Sequence, residues 1–449
     1  MAQSGVFEVS ILTITLITAL RAACIALIAV GVAAKALSRP RFSGAVMWLM
    51  LMVLLMPGIF IGYHSAVSRS AATSGWSAEA AYSVIVLLRV TPLAVVLMWL
   101  SPPRTTARSA HAFRMMSRLS IIARLRWKLH GWCAEYWPTF CLVFLVVFQE
   151  FDLAACWNAR SWAIALFDLQ AGGLALSESL RLMLPALAIE CAVLSALMLR
   201  LRQKERRAER EQPTAERGSV WATIGLLALP VSTVTMALRN GWAGLPALRE
   251  NFALTREVTN SFLLATVATI AAWLLAAWAY QSRVRTILLA LPGLFGGLIV
   301  SLTLLALFQI PPLHWLRASP LPVLLALVLT QMPAALFIRH ILAHIERSEP
   351  AHTAALGQAH KVHWQLVRRP ALLGGALLFL QAYADFTANS LLAPPALTSA
   401  FSRIFNLMHY GQTAALSAML LVTIAVPLFA LLAVALFVRT RTPLCRALP

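Results

Sequence analysis

Long apolar stretches recur along the whole chain, and they constrain the fold more than any other feature. A helix needs about 20 apolar residues to cross a bilayer, and about eleven stretches reach that length. They are residues 10–36, 44–63, 83–101, 138–158, 182–200, 219–238, 258–280, 286–309, 321–339, 371–391 and 415–438. Because 60% of the residues are hydrophobic and only 12% are charged, the surplus apolar surface is expected to face lipid. The runs are too continuous for a β-barrel, so the sequence predicts an all-α polytopic membrane protein.

Basic residues are concentrated in every second loop between these stretches. The net charge of +20 would suggest nucleic-acid binding in a soluble chain. Here about 27 of the 37 Lys and Arg residues fall in alternate loops and in the C-terminal tail. Those loops are residues 35–43, 101–137, 200–218, 281–285 and 339–369, and the tail starts at 439. The positive-inside rule then predicts a cytoplasmic C-terminus, an N-terminus outside, and no nucleic-acid partner.

The two halves of the sequence resemble each other in several short segments. Residues 56–60 match 291–295, 91–94 match 332–335, 150–151 match 385–386, 167–169 match 405–407, and 175–177 match 415–417. The matches occur in the same order, which predicts two parallel repeats related by an axis along the membrane normal. The first repeat would cover 1–200 with five spans, and the second 219–449 with six. The polar segment 201–218 is the expected cytoplasmic linker, and substrate would pass between the halves.

The loop at residues 350–370 combines small residues with a spaced glycine and proline. Ala354, Ala355 and Leu356 lead to Gly357, and Val367 and Pro370 follow. A glycine can adopt the left-handed conformation that ends a helix. A proline suits the first turn of the next helix. The loop is therefore expected to hold a short docking helix, and Pro370 is expected to open the following span.

This loop resembles the "EAA" loop of binding-protein-dependent ABC importer permeases, the MetI-like family. The family pattern is Glu-Ala-Ala, three residues, Gly, nine residues, Ile, one residue and Leu-Pro, and Gly357, Val367 and Pro370 stand at its Gly, Ile and Pro positions. The Glu-Ala-Ala positions hold residues 351–353, Ala-His-Thr, and the position before the proline holds an arginine. Glu349 or Glu346 is the candidate replacement for the missing acidic residue.

The resemblance covers nearly the whole chain and implies two fused permease units, similar to the ferric-iron and thiamine importer permeases. It implies a bacterial inner-membrane location, docking on a cytoplasmic ABC ATPase dimer, and a periplasmic substrate-binding protein. Iron(III) is the favoured substrate, while thiamine, phosphonates and polyamines remain open. None of the four lysines follows a glycine, so the chain has no phosphate-binding GxxxxGK[ST] motif. The chain is therefore expected to carry no cofactor and no enzymatic activity, and ATP would bind to the partner.

The corresponding loop of the first half, residues 104–138, is longer and very basic. Its apolar residues at 116, 119, 122 and 125 predict an amphipathic helix. Arg118, Arg124 and Arg126 lie on that segment, and Pro138 keeps the proline of the pattern. The segment is either a first coupling helix or a helix that lies on the membrane surface.

Ionisable residues within apolar spans are candidates for the translocation path. Glu150, Asp152 and Asp385 lie late in their spans, toward the outer side, and Phe151 and Phe386 are adjacent candidates for an apolar gate. Interfacial packing, or contact with the binding protein, is the alternative role. Arg21 and Arg89 also lie within spans and could pair with such acids.

Two Pro-Gly pairs interrupt predicted spans. Pro57-Gly58 and Pro292-Gly293 are expected to break or kink their helices, either as hinges of a gate or for packing. The sequence shows no clustered metal-ligand spacing, and His352, His360 and His363 are expected to be polar residues of the docking loop. A secondary transporter with two parallel repeats, or a degenerate non-transporting paralogue, remain the alternatives.

Overall fold

Helices make up the regular structure of the chain. The structure is a computed structural model that describes residues 2–37, 56–67, 75–100, 136–202, 220–251, 254–348, 359–409, 415–425 and 428–429, and these contain no strand. Five described helices are long and apolar enough to cross a membrane, or six if one sharply bent pair counts as a single span. The chain is therefore an all-α protein whose apolar helices fit a multi-pass membrane protein.

Internal contacts divide the chain into a first unit, Met1–Thr233, and a second unit, Val234–Pro449. The predicted linker at 201–218 lies shortly before that division, and most of it is outside the described residues.

The described part of the first unit contains seven helices and the start of an eighth. They are α1 (Ala2–Leu37), α2 (Gly58–Val67), α3 (Trp76–Leu100), α4 (Tyr136–Phe148), α5 (Asp152–Trp157), α6 (Trp162–Ala171), α7 (Leu176–Arg202) and α8 (Val220–Asn251). Helix α1 packs on α3, α6 and α7, while the short α5 packs on α2 and α3. Ala22, Ala26, Ala29 and Ala33 form a buried stripe on α1. Small residues at this spacing let helix backbones approach closely.

The second unit contains the remainder of α8 and the helices after it. They are α9 (Leu254–Ala279), α10 (Arg283–Leu294), α11 (Gly296–Leu307), α12 (Leu321–Ser348), α13 (Ala359–Tyr383), α14 (Thr387–Leu392), α15 (Ala400–His409) and α16 (Ala415–Ala425). Helix α9 packs on α12, α13 and α15, while the short α14 packs on α11 and α12. The alanine stripe recurs on α9, where Ala265, Ala268, Ala272, Ala276 and Ala279 are buried.

Five predicted spans form single helices that meet the length and hydropathy requirement. These are 10–36, 83–101, 182–200, 258–280 and 321–339, which lie on α1, α3, α7, α9 and α12. The 219–238 stretch lies almost wholly on α8. Most of 44–63 and the second half of 415–438 fall outside the described residues.

Three predicted spans are not continuous helices. The 286–309 stretch is bent near its Pro-Gly pair, where a kink was expected, whereas for the other two the prediction of a continuous span was wrong. The 138–158 stretch is interrupted at residues 149–151, the first break, and the 371–391 stretch at residues 384–386, the second break. Apolar composition predicted helices through both positions. In each break, however, a carboxylate accepts a backbone N–H that a continuous helix would have bonded internally.

The helix bend in the second unit lies close to the Pro-Gly pair but not at it. Helices α10 and α11 meet at 99°. Pro292 and Gly293 remain within α10, and the chain turns at Phe295 and Gly296, where Gly296 has a φ of +79°. Glycine adopts this left-handed region readily. In the first unit, α2 begins at Gly58, and the Pro57 carbonyl accepts the N–H of Phe60 at 3.1 Å.

Pro370 lies within a helix rather than in its first turn, and the apolar part of that helix, Ala371–Tyr383, begins directly after it. Helix α13 begins at Ala359 and continues through Pro370 to Tyr383. A proline within a helix removes one backbone hydrogen bond, and here the helix continues on both sides of it.

Candidate functional site

The first break contains three consecutive residues, Gln149, Glu150 and Phe151, and joins α4 to the short α5. One carboxylate oxygen of Glu150, Oε1, accepts the N–H of Leu153 at 3.1 Å in the first turn of α5. Such a contact satisfies an N–H group that has no partner within the new helix. Phe151 is buried, and its ring lies 5.1 Å from that of Phe167 on α6. The Glu150 carboxylate thus caps the N-terminus of α5, and the adjacent Phe151 ring packs against α6.

The other oxygen of Glu150 forms an ion pair with an arginine of α3. Nη1 of Arg89 lies 2.6 Å from Oε2 of Glu150, and the side chains are 21% and 7% exposed. The sequence left open which acid Arg89 would pair with, and the structure brings it to Glu150.

Asp152 lies beside the same arginine, on the first turn of α5. A Cβ atom built on Gly58 would come within 2.7 Å of both Nη1 of Arg89 and Oδ2 of Asp152. A glycine is therefore needed at this position for a steric reason, because any side chain would displace the charged groups. Gly58, Arg89, Glu150 and Asp152 form one cluster around the start of α5.

The sequence interpretation missed a third carboxylate at the first break. Glu190, in the middle of α7, is fully buried, and its Oε1 accepts a hydrogen bond of 3.0 Å from Nε2 of Gln149. Its other oxygen, Oε2, is buried and has no hydrogen-bond partner in the part of the chain that the structure describes. Glu190 could have been singled out in the sequence, since an acidic residue at the centre of an apolar span is uncommon and often functional.

Arg21 pairs with an acid that was not among the sequence candidates. Nη1 of Arg21 on α1 lies 2.8 Å from Oε2 of Glu79 on α3, and Nη2 donates to the carbonyl of Arg160 at 2.8 Å. The N–H of Arg160 in turn donates to Glu79 Oε1 at 3.1 Å. These contacts fix the segment between α5 and α6 to α1 and α3, and they do not include the cluster around Glu150.

The second break repeats the capping arrangement with a shorter acid. Oδ1 of Asp385 accepts the N–H of Ala388 at 2.8 Å, in the first turn of α14. Nδ2 of Asn389 donates to the Asp385 carbonyl at 2.6 Å. Phe386 is buried and stacks on Phe405 of α15, with the ring centroids 4.3 Å apart.

No arginine or lysine pairs with Asp385 among the described residues. The aspartate's remaining oxygen, Oδ2, makes no hydrogen bond to any of them either. The two breaks therefore share the capping contact and differ in the charge that surrounds the acid.

Most of the predicted coupling residues lie outside the described part of the chain. These are Glu349, Ala354, Ala355, Leu356 and Gly357 in the second half, and Arg118, Arg124 and Arg126 in the first. Val367 and Pro370 lie within α13, and Pro138 lies in the first turn of α4.

Comparisons with protein-family models, with curated proteins and with solved structures gave no match. The fold and the site therefore define a class of protein rather than a family. That class is an all-α protein whose apolar helices fit a multi-pass membrane protein. Among the described residues, two of its apolar helices are each interrupted at a capping carboxylate.

Proposed function

We propose that the chain is the membrane permease of an ATP-driven importer, built from two parallel repeats in one polypeptide. The observation that carries the proposal is the recurrence of one architecture in the two units. In each unit a long helix is followed by a short helix that begins at or just after a Pro-Gly pair, and then by a second long helix. After these come a helix interrupted at an acid and two short helices.

The packing within each unit supports the same correspondence. Helix α2 packs on α5 in the first unit, and α11 packs on α14 in the second. Helix α1 packs on α3 and α6, and α9 packs on α12 and α15. Because these equivalent pairs follow the same chain order, they favour repeats of equal topology rather than inverted ones.

The capping contacts match residue by residue. Glu150 caps through the N–H of Leu153, and Asp385 caps through the N–H of Ala388, so each acid bonds the third residue after it. In both units a phenylalanine follows the acid and contacts a second phenylalanine on the next short helix. An interrupted helix that exposes polar groups within a membrane is tolerated where it is buried in protein or lines a cavity.

The energy source in this proposal is a separate ATPase dimer that docks on the cytoplasmic loop around Gly357. A periplasmic binding protein delivers the solute, with iron(III) favoured, and ATP-driven closure of the dimer rocks the two repeats. The basic loops and the C-terminus are cytoplasmic in this arrangement, in a bacterial inner membrane.

Deletion of residues 351–363 tests this function. We expect the full chain, purified in mild detergent from its native membrane, to co-purify with a subunit that carries a phosphate-binding loop and hydrolyses ATP. The deletion, or Gly357→Asp, should abolish transport-coupled hydrolysis while the chain still inserts. Gly375→Ala on α13 is the matched control, because no neighbouring atom lies within 4 Å of the added Cβ. Unchanged uptake and hydrolysis in the deletion variant would rule out the coupling role.

A secondary transporter is the second candidate, and Glu190 is the observation that favours it. A buried carboxylate within a span is typical of coupling-ion sites. In that case the reconstituted chain should take up solute along an imposed proton gradient without ATP, and Glu190→Gln should remove this uptake. Uptake that requires ATP and continues in Glu190→Gln would reject this candidate.

A further inference from the structure

We propose that the second break holds a binding site for a single hard cation, formed by Asp385, Thr387 and Asn389. This deepens the proposed function, because it assigns the substrate class and its contact residues to one unit of the chain. The binding itself is a property of the chain alone and needs neither an ATPase nor a binding protein.

Asp385 and Thr387 present two oxygen atoms to one small space beside α11. Oδ1 of Asp385 is engaged with the N–H of Ala388, which leaves Oδ2 for another ligand. A Cβ atom built on Gly297 would lie 3.8 Å from Oδ2 of Asp385 and 4.0 Å from Oγ1 of Thr387. Leaving aside the adjacent residues Gly296 and Leu298 and the backbone of α11, the nearest atom among the described residues is the Cβ of Thr387, at 3.7 Å. The Thr387 hydroxyl, like Oδ2, makes no hydrogen bond among the described residues.

Asn389 provides an independent observation at the same break. Its side chain is directed at the break, because Nδ2 donates to the Asp385 carbonyl at 2.6 Å. The residue is 5% exposed, and its Oδ1 is buried without a hydrogen-bond partner among the described residues. A buried amide oxygen without a partner is costly, and a bound cation would satisfy it.

The first break has an acid, Asp152, where the second break has Thr387, and it differs in three other respects. The acid there, Glu150, is paired with Arg89 at 2.6 Å, and a cation would be repelled by the guanidinium. The space beside Gly62, which corresponds to Gly297, is filled by Cys156, whose Sγ would lie 2.9 Å from an added Cβ. Ala154 stands where the second break has Asn389. Among the described residues, the combination of an acid without a cationic partner and an open space beside it therefore occurs at the second break and not at the first.

The donor set indicates the kind of cation. Carboxylate, hydroxyl and amide oxygens suit hard cations rather than soft metals that prefer sulfur or imidazole. The described residues contain no group of three His, Cys, Asp or Glu side chains that could hold a metal ion. A site with one carboxylate and neutral oxygens binds weakly, and a transported ion must also be released.

Manganese(II) is the probe for a direct test. The full-length chain in detergent is titrated with Mn²⁺, and the free ion is followed by electron paramagnetic resonance. We expect one specific Mn²⁺ per chain, and Asp385→Asn should weaken binding by about tenfold or more, as for loss of a charged ligand. Asparagine keeps an oxygen that can cap α14, so the fold is expected to persist.

Gly297→Ala gives a second and sterically defined variant. The added methyl group would meet its neighbours at ordinary van der Waals distance, so the helix should fold normally while the space for the ion is filled. We expect this variant to lose Mn²⁺ binding with an unchanged thermal unfolding temperature. Glu150→Gln is the matched control at the first break and should bind Mn²⁺ like the wild type.

Equal binding by wild type, Asp385→Asn and Gly297→Ala would overturn the proposal, as would the absence of any specific Mn²⁺ binding by the wild type. Either result would leave the ATPase-coupling function unaffected, because that function is tested at residues 351–363. Conversely, Mn²⁺ binding that depends on Asp385 in a chain that couples to no ATPase would reject the importer and retain the cation site.

Discussion

Replacing Arg89 by methionine should destabilise the first unit more than any other single change to its ion pairs. The substitution keeps an unbranched apolar side chain and removes the guanidinium that lies 2.6 Å from Glu150. Glu150 would then remain as a buried charge without its cationic partner, because its side chain is only 7% exposed. Its capping contact with Leu153 keeps it in place at the start of α5.

The expected magnitude follows from the geometry of the pair. Two unit charges at this separation attract by about 6 kcal/mol at an effective dielectric constant of about 20, and desolvation of both groups offsets much of that gain. Removing one partner of a buried pair costs about 3–5 kcal/mol, because the other charge stays buried. Glu150→Gln should cost less than Arg89→Met, since glutamine can still cap α5 and Arg89 still lies beside Asp152.

A double-mutant cycle measures this coupling. The free energy of unfolding would be determined for the full chain in mixed micelles, with sodium dodecyl sulfate as denaturant and tryptophan fluorescence as the signal. We expect Arg89→Met/Glu150→Gln to be more stable than Arg89→Met alone, with a coupling energy of about 1–3 kcal/mol. If the effects of the two substitutions were simply additive, the ion pair would not be what holds the first break together.

Two further predictions concern the backbone. Gly293→Ala should destabilise the second unit by about 1–3 kcal/mol, because its Cβ would overlap the Leu329 carbonyl oxygen. Gly375→Ala, with open space around it, should be neutral or stabilising by up to about 1 kcal/mol. If Gly293→Ala and Gly375→Ala changed the free energy of unfolding equally in the same assay, close packing around Gly293 would not be the cause. Asn158 ends α5 with a φ of +48°, so Asn158→Val should cost about 1–2 kcal/mol. Asn158→Gly should retain the unfolding free energy of the wild type, and an equal loss in both variants would contradict the conformational explanation.

The long helices were predictable because hydropathy is a local property. In lipid, the backbone N–H and C=O groups of an uninterrupted apolar run such as 258–280 form their hydrogen bonds within a helix. Helix α9 forms there. The same reasoning failed at residues 150 and 385. Apolar residues on both sides of each position predicted a continuous helix. The break depends instead on an acidic side chain that caps the next turn.

The partners of Glu190 and Arg89 could not be predicted from the sequence. Each was visible as an ionisable residue in an apolar stretch, but its partner was not. Glu190 receives its hydrogen bond from Gln149, 41 residues away, and Arg89 pairs with Glu150, 61 residues away. Such pairings depend on which helix faces are adjacent, and the residue order alone does not specify this.

The sequence by itself determined the all-α class, the long apolar helices and the positions of the acids Glu150 and Asp385. Only the tertiary structure decided that these two acids have different surroundings. Helix packing brings Arg89 and Cys156 to the first break. At the second break, an oxygen of Asn389 is buried without a hydrogen-bond partner among the described residues. The physical reason is that an acid's charge environment is set by side chains from several helices, which come together only when the chain folds.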